Sequence, residues 1–383
     1  MPNKQVNEIN DSRFCTATFT SLFIAGNGNV YPCCGYNSKG VSLGNLFTDE
    51  VDEILLGIKA QKNRQASLNG CLECNRCNYS TKSYNPQGLS LENFKSDFDP
   101  SMVSKIQFEL GYKCNSRCCF CNQPHQSNKS LPIEKIKELI IRCSPEDIQL
   151  QGGEYYYNKG AKELLEWLTT NKKNAKVFMH TNCVLPEKVA ESFMKCVDIF
   201  SLNLYGASPS TFSAVTGLNF DIAIKFIKKL VELRESRDEF KDKEFMFKMT
   251  TCPTTFHEIP DFCYLGKELK VDSVRFALDY HIGPFLKRYN NEFLARIWHR
   301  LNQAIDTLND VQIIYNSLKP YGFKRNSEED SKLAMLERFK EVNLSREEFY
   351  YDNHIHKSAE SIWPNRGFDK KKKEKQAPSL ASC

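Results

Sequence analysis

Cysteine is concentrated in two stretches of this chain, and that concentration limits what the chain can fold into. The 383-residue sequence contains 16 cysteines. Six lie between positions 15 and 77 and four between 114 and 121, whereas the remaining six are scattered singly. Thiols that only fill a core follow helix or strand periodicity, so the clusters indicate metal ligands. The first residues contain no apolar segment typical of a signal peptide, so we expect no disulfide framework.

The second cluster has a spacing that suits an iron–sulfur site. Cys114, Cys118 and Cys121 form a C-x3-C-x2-C pattern, and Phe120 directly precedes the last cysteine. Three thiolates on one short loop can bind three irons of a [4Fe-4S] cube and leave the fourth iron open. An open metal position is typical of a catalytic site. Zinc remains the alternative if Cys119 supplies a fourth ligand.

Strand and helix patterns alternate after residue 104, which predicts an α/β fold. Repeated β/α units predict parallel strands, and six units predict a partial (β/α)6 TIM-like barrel. The predicted strands are 104–110, 147–151, 175–180, 199–204, 244–250 and 273–278. The predicted helices are 132–143, 162–169, 187–196, 220–234 and 259–269. In such barrels the chemistry lies at the C-terminal ends of the strands.

Residues suited to ligand binding lie at those predicted strand ends. The cysteine loop follows the first strand, Gly152-Gly153-Glu154 the second, and Thr181-Asn182 the third. Glycines let the backbone approach a ligand closely, and a carboxylate accepts hydrogen bonds from an ammonium group. The other candidates are Ser201 and Asn203 in the fourth strand, Arg275 in the sixth, and Cys183 and Cys252 after the third and fifth.

The cysteine spacing together with Gly-Gly-Glu resembles the signature of the radical S-adenosylmethionine (radical SAM) enzymes. The resemblance implies that a [4Fe-4S] cluster on Cys114, Cys118 and Cys121 binds SAM through its open iron. It also implies cleavage of SAM to a 5′-deoxyadenosyl radical that abstracts a hydrogen atom from substrate. The residues implied in cofactor binding are Gly152, Gly153, Glu154, Thr181, Asn182, Ser201, Asn203, Arg275 and Phe120. Two departures from the usual motifs are Tyr155, where the family usually has proline, and Cys183, where it often has glycine.

The first cysteine cluster surrounds a predicted β-hairpin formed by residues 19–25 and 29–32. The order Cys15, Gly28-x4-Cys33, Gly44-Asn45-Leu46 and then Cys71, Cys74 and Cys77 resembles the opening half of a SPASM/twitch module. That resemblance implies one auxiliary [4Fe-4S] cluster. The expected ligands are Cys15, Cys33, Cys74 and Cys77, with Cys71 next and Cys34 as a spare. Zinc is again the alternative, because C-x2-C also occurs in zinc knuckles.

The sequence predicts five regions. These are an auxiliary iron–sulfur module at 1–80, a linker at 81–100, the radical SAM partial barrel at 101–284, a mostly helical capping region at 285–362, and a disordered basic tail at 363–383. In the capping region we predict a helix at 291–309, a strand at 311–315 and a helix at 332–342.

Charge and hydropathy exclude two classes of partner. The net charge is +5, and residues 369–383 contribute five lysines against two acidic residues, so neither nucleic acid nor a membrane surface is expected. No apolar run reaches the length of a membrane span. Because exposed clusters are oxygen-labile and assembled inside cells, we expect a cytoplasmic protein.

The expected function is hydrogen abstraction by a radical SAM enzyme from a peptide or protein, leading to oxidation, crosslinking or epimerisation. A sugar or an alcohol is the alternative substrate, and a non-catalytic iron–sulfur or zinc redox protein is the alternative of another class. The expected partners are the peptide or small-molecule substrate and an external electron donor of the flavodoxin or ferredoxin type. If the reaction is an epimerisation, Cys183 and Cys252 are the candidate catalytic thiols that donate a hydrogen atom.

Overall fold

The computed structural model describes residues 15–34, 41–69, 72, 98–124, 127–278, 291–315, 317, 318, 323 and 325. The described part of the chain falls into two compact units. The first unit comprises residues up to 114 together with 123–179. The second unit comprises 115–122 and the residues from 180 onward.

The first unit is built on a mainly parallel sheet. Its strands are β1 (Ser21–Ile24), β2 (Asn29–Tyr31), β3 (Gly44–Asn45), β4 (Lys105–Glu109), β5 (Asp147–Gln151) and β6 (Lys176–Thr181), whose last two residues belong to the second unit. The strand order is β6-β5-β4-β1-β2-β3. β1 pairs in parallel with β4 and antiparallel with β2, so the N-terminal hairpin extends the parallel sheet.

Five α-helices accompany these strands within the described residues of the first unit. They are α1 (Ala17–Thr20), α2 (Val51–Leu56), α3 (Ile58–Leu68), α4 (Ile133–Cys143) and α5 (Ala161–Asn171). In α4 the buried residues Ile136, Leu139, Ile140 and Cys143 recur at the spacing of one helix face. This amphipathic pattern is why the sequence predicts α4 with its correct end.

The second unit continues the β/α alternation. Its further strands are β7 (Ile199–Leu202), β8 (Glu244–Thr251), β9 (Ser273–Leu278) and β10 (Gln312–Ile314), which pair in parallel in that order. Its described helices are α6 (Ala190–Cys196), α7 (Pro209–Thr216), α8 (Phe220–Ser236), α9 (Ile259–Glu268) and α10 (Asn291–Thr307). Across the described residues, no helix is long and apolar enough to cross a membrane.

Successive side chains along β8 and β9 point to opposite faces of the sheet. One face packs against α9, and we call the opposite face the open side. The ring of Phe247 packs 5.4 Å from that of Phe262 in α9, and the ring of Phe276 packs 6.2 Å from it. Because successive strand residues point to opposite faces, Lys248 and Arg275 lie on the side away from α9. The open side of these strands therefore carries charged residues.

The α/β class with a mostly parallel sheet, consistent with a partial TIM-like barrel, is confirmed. The predicted hairpin is present, but residues 17–20 form α1, so the first strand begins at Ser21 and not at residue 19. β7 ends at Leu202, which places Asn203 just beyond the strand. Most of the predicted linker, the helix at 332–342 and the tail at 363–383 lie outside the described residues.

Candidate cofactor site

The C-terminal end of α7 fixes the middle of the cysteine loop. The backbone N–H groups of Arg117 and Cys119 donate to the carbonyl oxygens of Thr216 and Val215, both at 3.0 Å. The buried hydroxyl of Ser116 also donates to the Thr216 oxygen at 2.9 Å and lies 3.0 Å from the Cys118 sulfur. These bonds use carbonyl groups that a helix end leaves without partners in the helix.

Burial distinguishes the three motif cysteines from their neighbour. Cys114, Cys118 and Cys121 are partly exposed, whereas Cys119 is buried. Cys119 packs in a small cluster with Val215 and Cys252. The structure therefore places Cys119 in the core, whereas Cys114, Cys118 and Cys121 each keep some exposure to solvent.

The Gly-Gly-Glu segment packs tightly against the residues that lead into Cys114. Gly152 and Gly153 have φ angles of +94° and +49°. A Cβ atom on Gly152 would lie 2.6 Å from the Glu109 Cβ, and one on Gly153 would overlap the Lys113 carbonyl oxygen. Only glycine combines this backbone conformation with so close an approach.

Hydrogen bonds hold this segment in place. The Glu154 N–H donates to the Lys113 oxygen at 3.0 Å. The Asn158 side chain donates to the Glu154 oxygen at 2.8 Å and accepts from the Lys113 N–H at 3.1 Å. Glu154 itself is only 1% exposed, so its carboxylate is buried away from bulk solvent.

The end of β6 is linked to the cysteine loop within the second unit. The Asn182 amide donates to the Asn115 amide oxygen at 2.7 Å, and the Asn115 amide donates to the Val184 oxygen at 3.0 Å. Cys183 has a φ of +66°, and its N–H donates to the Thr181 hydroxyl at 3.1 Å. A left-handed backbone at this position explains why glycine often occupies it in the family that the motifs resemble.

Ser201 and Asn203 are buried and bonded to each other. The Ser201 hydroxyl donates to the Asn203 side-chain oxygen at 3.1 Å, and the Asn203 N–H donates to the Thr181 carbonyl oxygen at 2.8 Å. Thr181, Ser201 and Asn203 therefore form one polar group. Arg275 is separate from it: the side chain is exposed on the open side of β9, opposite Lys248 in the register with β8.

An aromatic pair adjoins the buried thiols. The rings of Phe120 and Tyr205 meet edge to face, with centroids 4.8 Å apart. Both pack against the cluster formed by Cys119, Val215 and Cys252. The Cys252 sulfur is fully buried and accepts a hydrogen bond from the Thr255 hydroxyl at 3.6 Å. Phe120 thus joins the cysteine loop to the end of β8.

The N-terminal cysteines are partly described. Cys15, Cys33 and Cys34 pack against one hydrophobic cluster made by Phe23, Ala25, Tyr31 and Leu72. The Ser67 hydroxyl accepts a hydrogen bond from the Cys15 N–H at 2.9 Å and donates one to the Cys15 carbonyl oxygen at 3.0 Å. Cys71, Cys74 and Cys77 lie outside the described residues. Among the residues that the structure does describe, no three His, Cys, Asp or Glu side chains form a ready site for a single metal ion.

The chain matches two family profiles at these positions. Residues 108–236 match the Radical SAM superfamily, and residues 15–78 match the SPASM iron-sulfur cluster-binding domain. The chain therefore contains a Radical SAM domain and a SPASM iron–sulfur cluster-binding domain. These two domains imply a [4Fe-4S] cluster, SAM and an auxiliary iron–sulfur cluster as cofactors.

Solved structures of similar fold are distant in sequence. SuiB from Streptococcus suis bound to S-adenosylmethionine is 17% identical with a TM-score of 0.43, and the match covers 59% of this chain and 54% of that one. Coproporphyrinogen III oxidase (HemN) from Escherichia coli is 13% identical with a TM-score of 0.36, covering 53% and 51%. The chain thus spans about half the length of each. Comparison with curated protein sequences gives no match.

The residues present fit these cofactors. Three accessible thiols suit a cluster, the glycine pair brings backbone close to the first of them, and Glu154 offers a buried carboxylate for an ammonium group. The sequence did not single out Asn115 and Asn158, which fix the loops around the site. Asn115 bonds to Asn182 and Val184, and Asn158 bonds to Lys113, all distant in sequence, so no local motif marks these two residues.

Proposed function

We propose that this enzyme reductively cleaves SAM at a cluster held by Cys114, Cys118 and Cys121 and abstracts a hydrogen atom from a peptide or protein. The observation that carries the proposal is the tight packing of Gly152 and Gly153 against the residues directly before Cys114. When bound, the cluster supplies the electron that splits SAM into methionine and a 5′-deoxyadenosyl radical. The electron comes from an external donor of the flavodoxin or ferredoxin type.

In this proposal the chain's own residues bind and orient SAM. The buried Glu154 carboxylate accepts hydrogen bonds from the SAM ammonium group, where low polarity strengthens a charged hydrogen bond. Asn158 and Lys113 keep the Glu154 backbone fixed, so the carboxylate is placed before SAM arrives. The polar group of Thr181, Ser201 and Asn203 contacts the ribose or carboxylate of SAM.

The peptide substrate is supported by the SPASM module, because the SPASM/twitch resemblance favours enzymes that modify peptides. The open side of β8 and β9 adds a charge argument. Lys248 and Arg275 are register partners on adjacent strands, and Arg275 is exposed. Two neighbouring cations favour an anionic group, so we assign them to an acidic side chain or the C-terminal carboxylate of the peptide.

The cationic pair is tested by Arg275→Gln. We expect the KM for an acidic peptide substrate to rise about tenfold, because one charged hydrogen bond is lost, while SAM cleavage without substrate stays unchanged. Candidate peptides encoded by neighbouring genes serve as substrates. Arg296→Gln on the exposed side of α10 is the matched control. An unchanged KM for Arg275→Gln contradicts the assignment.

If the reaction is an epimerisation, a thiol must return a hydrogen atom to the substrate radical and become a thiyl radical. Cys183 and Cys252 follow β6 and β8 at the strand ends where chemistry is expected, and both are fully buried. We propose that one of them is the donor. Unaltered inversion by both Cys183→Ala and Cys252→Ala rules this out.

The SAM-cleaving function is tested with the full chain, reconstituted with iron and sulfide and reduced by dithionite. The expected product is 5′-deoxyadenosine, measured by mass spectrometry, with a loss of at least about a hundredfold in Cys118→Ala because one cluster ligand is missing. Cys143→Ala, a buried cysteine of α4, is the matched control and keeps the activity. Absence of 5′-deoxyadenosine from the unaltered protein refutes the function.

A further inference from the structure

A chain of hydrogen bonds joins the N-terminal hairpin to the glycine pair within the first unit. The Gly26 N–H, in the hairpin turn, donates to Glu109 Oε2 at 3.1 Å. The Gln123 side-chain amide donates to Glu109 Oε1 at 3.0 Å. The Gly153 N–H in turn donates to Gln123 Oε1 at 2.8 Å. We refer to the two side chains, Glu109 and Gln123, as the bridge.

The chemistry of the bridge fixes its direction. A backbone N–H can only donate a hydrogen bond, so the amide oxygen of Gln123 must face the Gly153 N–H. The NH2 group of Gln123 is then turned toward Glu109. Each of the three bonds therefore has one possible donor and one possible acceptor.

The surroundings of the bridge leave it little freedom to move. Tyr112 also donates to the Glu109 carboxylate, and the burial of this carboxyl raises its pKa. The Tyr112 ring lies 2.9 Å from the place that a Cβ atom on Gly26 would occupy, so the turn and the ring are in close contact. Glu109 ends β4, and Gln123 follows the last cysteine of the motif by two residues.

We propose that Glu109 and Gln123 are positioning residues that couple the SPASM hairpin to the SAM-binding glycine pair. The bridge holds the Gly153 backbone in its left-handed conformation, and the position of the Gly26 turn sets the position of the bridge. The inference rests on the proposed function in one respect, since it takes the glycine pair as the place where SAM binds. In this proposal neither side chain contacts SAM itself.

An exchange of the two side chains tests the bridge. In Gln123→Glu two carboxylates face each other, and one bond is replaced by repulsion. In the double variant Glu109→Gln/Gln123→Glu the order of donors is restored: the new amide at 109 accepts from Gly26 and donates to the new carboxylate at 123, which accepts from Gly153. If the two side chains only filled space, the double variant would not recover what Gln123→Glu loses.

Two quantities are measured on the reconstituted protein. One is the Kd for SAM, from the change in the cluster's electron paramagnetic resonance signal. The other is deuterium uptake by the backbone of residues 22–31 and 151–154 without SAM. We expect Gln123→Glu to weaken SAM binding about tenfold, within the usual range of coupling energies, and to speed exchange in both segments. The double variant returns the Kd to within about threefold of the original value. Gln65→Glu, an exposed glutamine of α3, is the matched control and changes neither quantity.

The possible outcomes separate the bridge from the proposed function. A double variant no better than Gln123→Glu in both measurements, or failure of both to fold, overturns the bridge. Failure of Gln123→Glu alone to fold, with a folded double variant, supports it. If the unaltered protein does not bind SAM, the proposed function fails, whereas deuterium exchange still decides whether the hairpin and glycine pair are coupled.

Discussion

Gly153 and Gly217 both adopt a positive φ, yet their surroundings differ. Gly217 ends α7 at +72° with open space where a Cβ would lie. Gly153, at +49°, has the Lys113 carbonyl oxygen in that space. Gly217 only permits the left-handed conformation of its own backbone. Gly153 permits that conformation and also allows its segment to pack closely against Lys113. Substitutions at the two positions therefore separate backbone strain from close packing.

We predict that Gly153→Ala destabilises the protein by about 3 kcal/mol, since left-handed strain and steric overlap add. Gly217→Ala carries only the strain, about 1 kcal/mol. Thermal unfolding followed by circular dichroism measures the difference, and SAM binding is lost only in Gly153→Ala. Equal melting temperatures for the two variants would show that the packing against Lys113 is not tight.

Sequence patterns indicate some residues of the candidate site and not others. The glycine pair, Glu154 and the three motif cysteines were recognisable because their spacing in the chain carries the chemistry. Gln123 and Asn158 were not, because Gln123 bonds to Glu109, 14 residues away, and Asn158 bonds to Lys113, 45 residues away. The buried state of Cys119 was likewise invisible, since it depends on contact with Cys252, far along the chain.

At the scale of elements, α7 connects two parts of the second unit. At its start, the buried Glu258 accepts hydrogen bonds from the Ala207 N–H at 2.6 Å and from the Ser208 hydroxyl. At its end, the carbonyl oxygens of Val215 and Thr216 hold the cysteine loop. A helix of eight residues is marginal alone, so these tertiary contacts stabilise it.

Ser208→Ala is predicted to destabilise the second unit by about 2 kcal/mol, because α7 loses its N-cap and the buried Glu258 loses a donor. Since α7 holds the cysteine loop, iron should also be released faster to a chelator. Chelator-competition kinetics and thermal unfolding measure the two effects. Ser213→Ala, exposed on the same helix, is the control. Equal iron release from the two variants would contradict the role of α7.

The sequence did not predict α7, for a physical reason. Ser210, Thr211, Ser213 and Thr216 are poor helix formers, and their pattern shows no clear apolar face. The strands of the β/α repeats were predicted because buried strands have local apolar signatures. The pairing of β1 with β4 was not, since the partners Ser21 and Lys105 lie 84 positions apart and parallel pairing leaves no local pattern in the sequence.

For the molecule as a whole, the iron content tests the SPASM module independently of SAM. A chain with two [4Fe-4S] clusters holds about eight irons. We predict that Cys15→Ala/Cys33→Ala lowers this to about four, since both cysteines flank the hairpin where the auxiliary cluster is expected. Cys34→Ala, which packs on the same hydrophobic cluster, keeps about eight and is the matched control. An unchanged iron content in the double variant would exclude these two ligands.

The central claim is that Cys114, Cys118 and Cys121 leave one iron of their cluster open to SAM. Mössbauer spectroscopy of the full chain, reconstituted with isotopically enriched iron, tests it most directly. We predict that adding SAM shifts the signal of a single iron site, and that no shift occurs when all three cysteines are replaced by alanine. A spectrum that SAM leaves unchanged, or a site filled by zinc, would contradict the account.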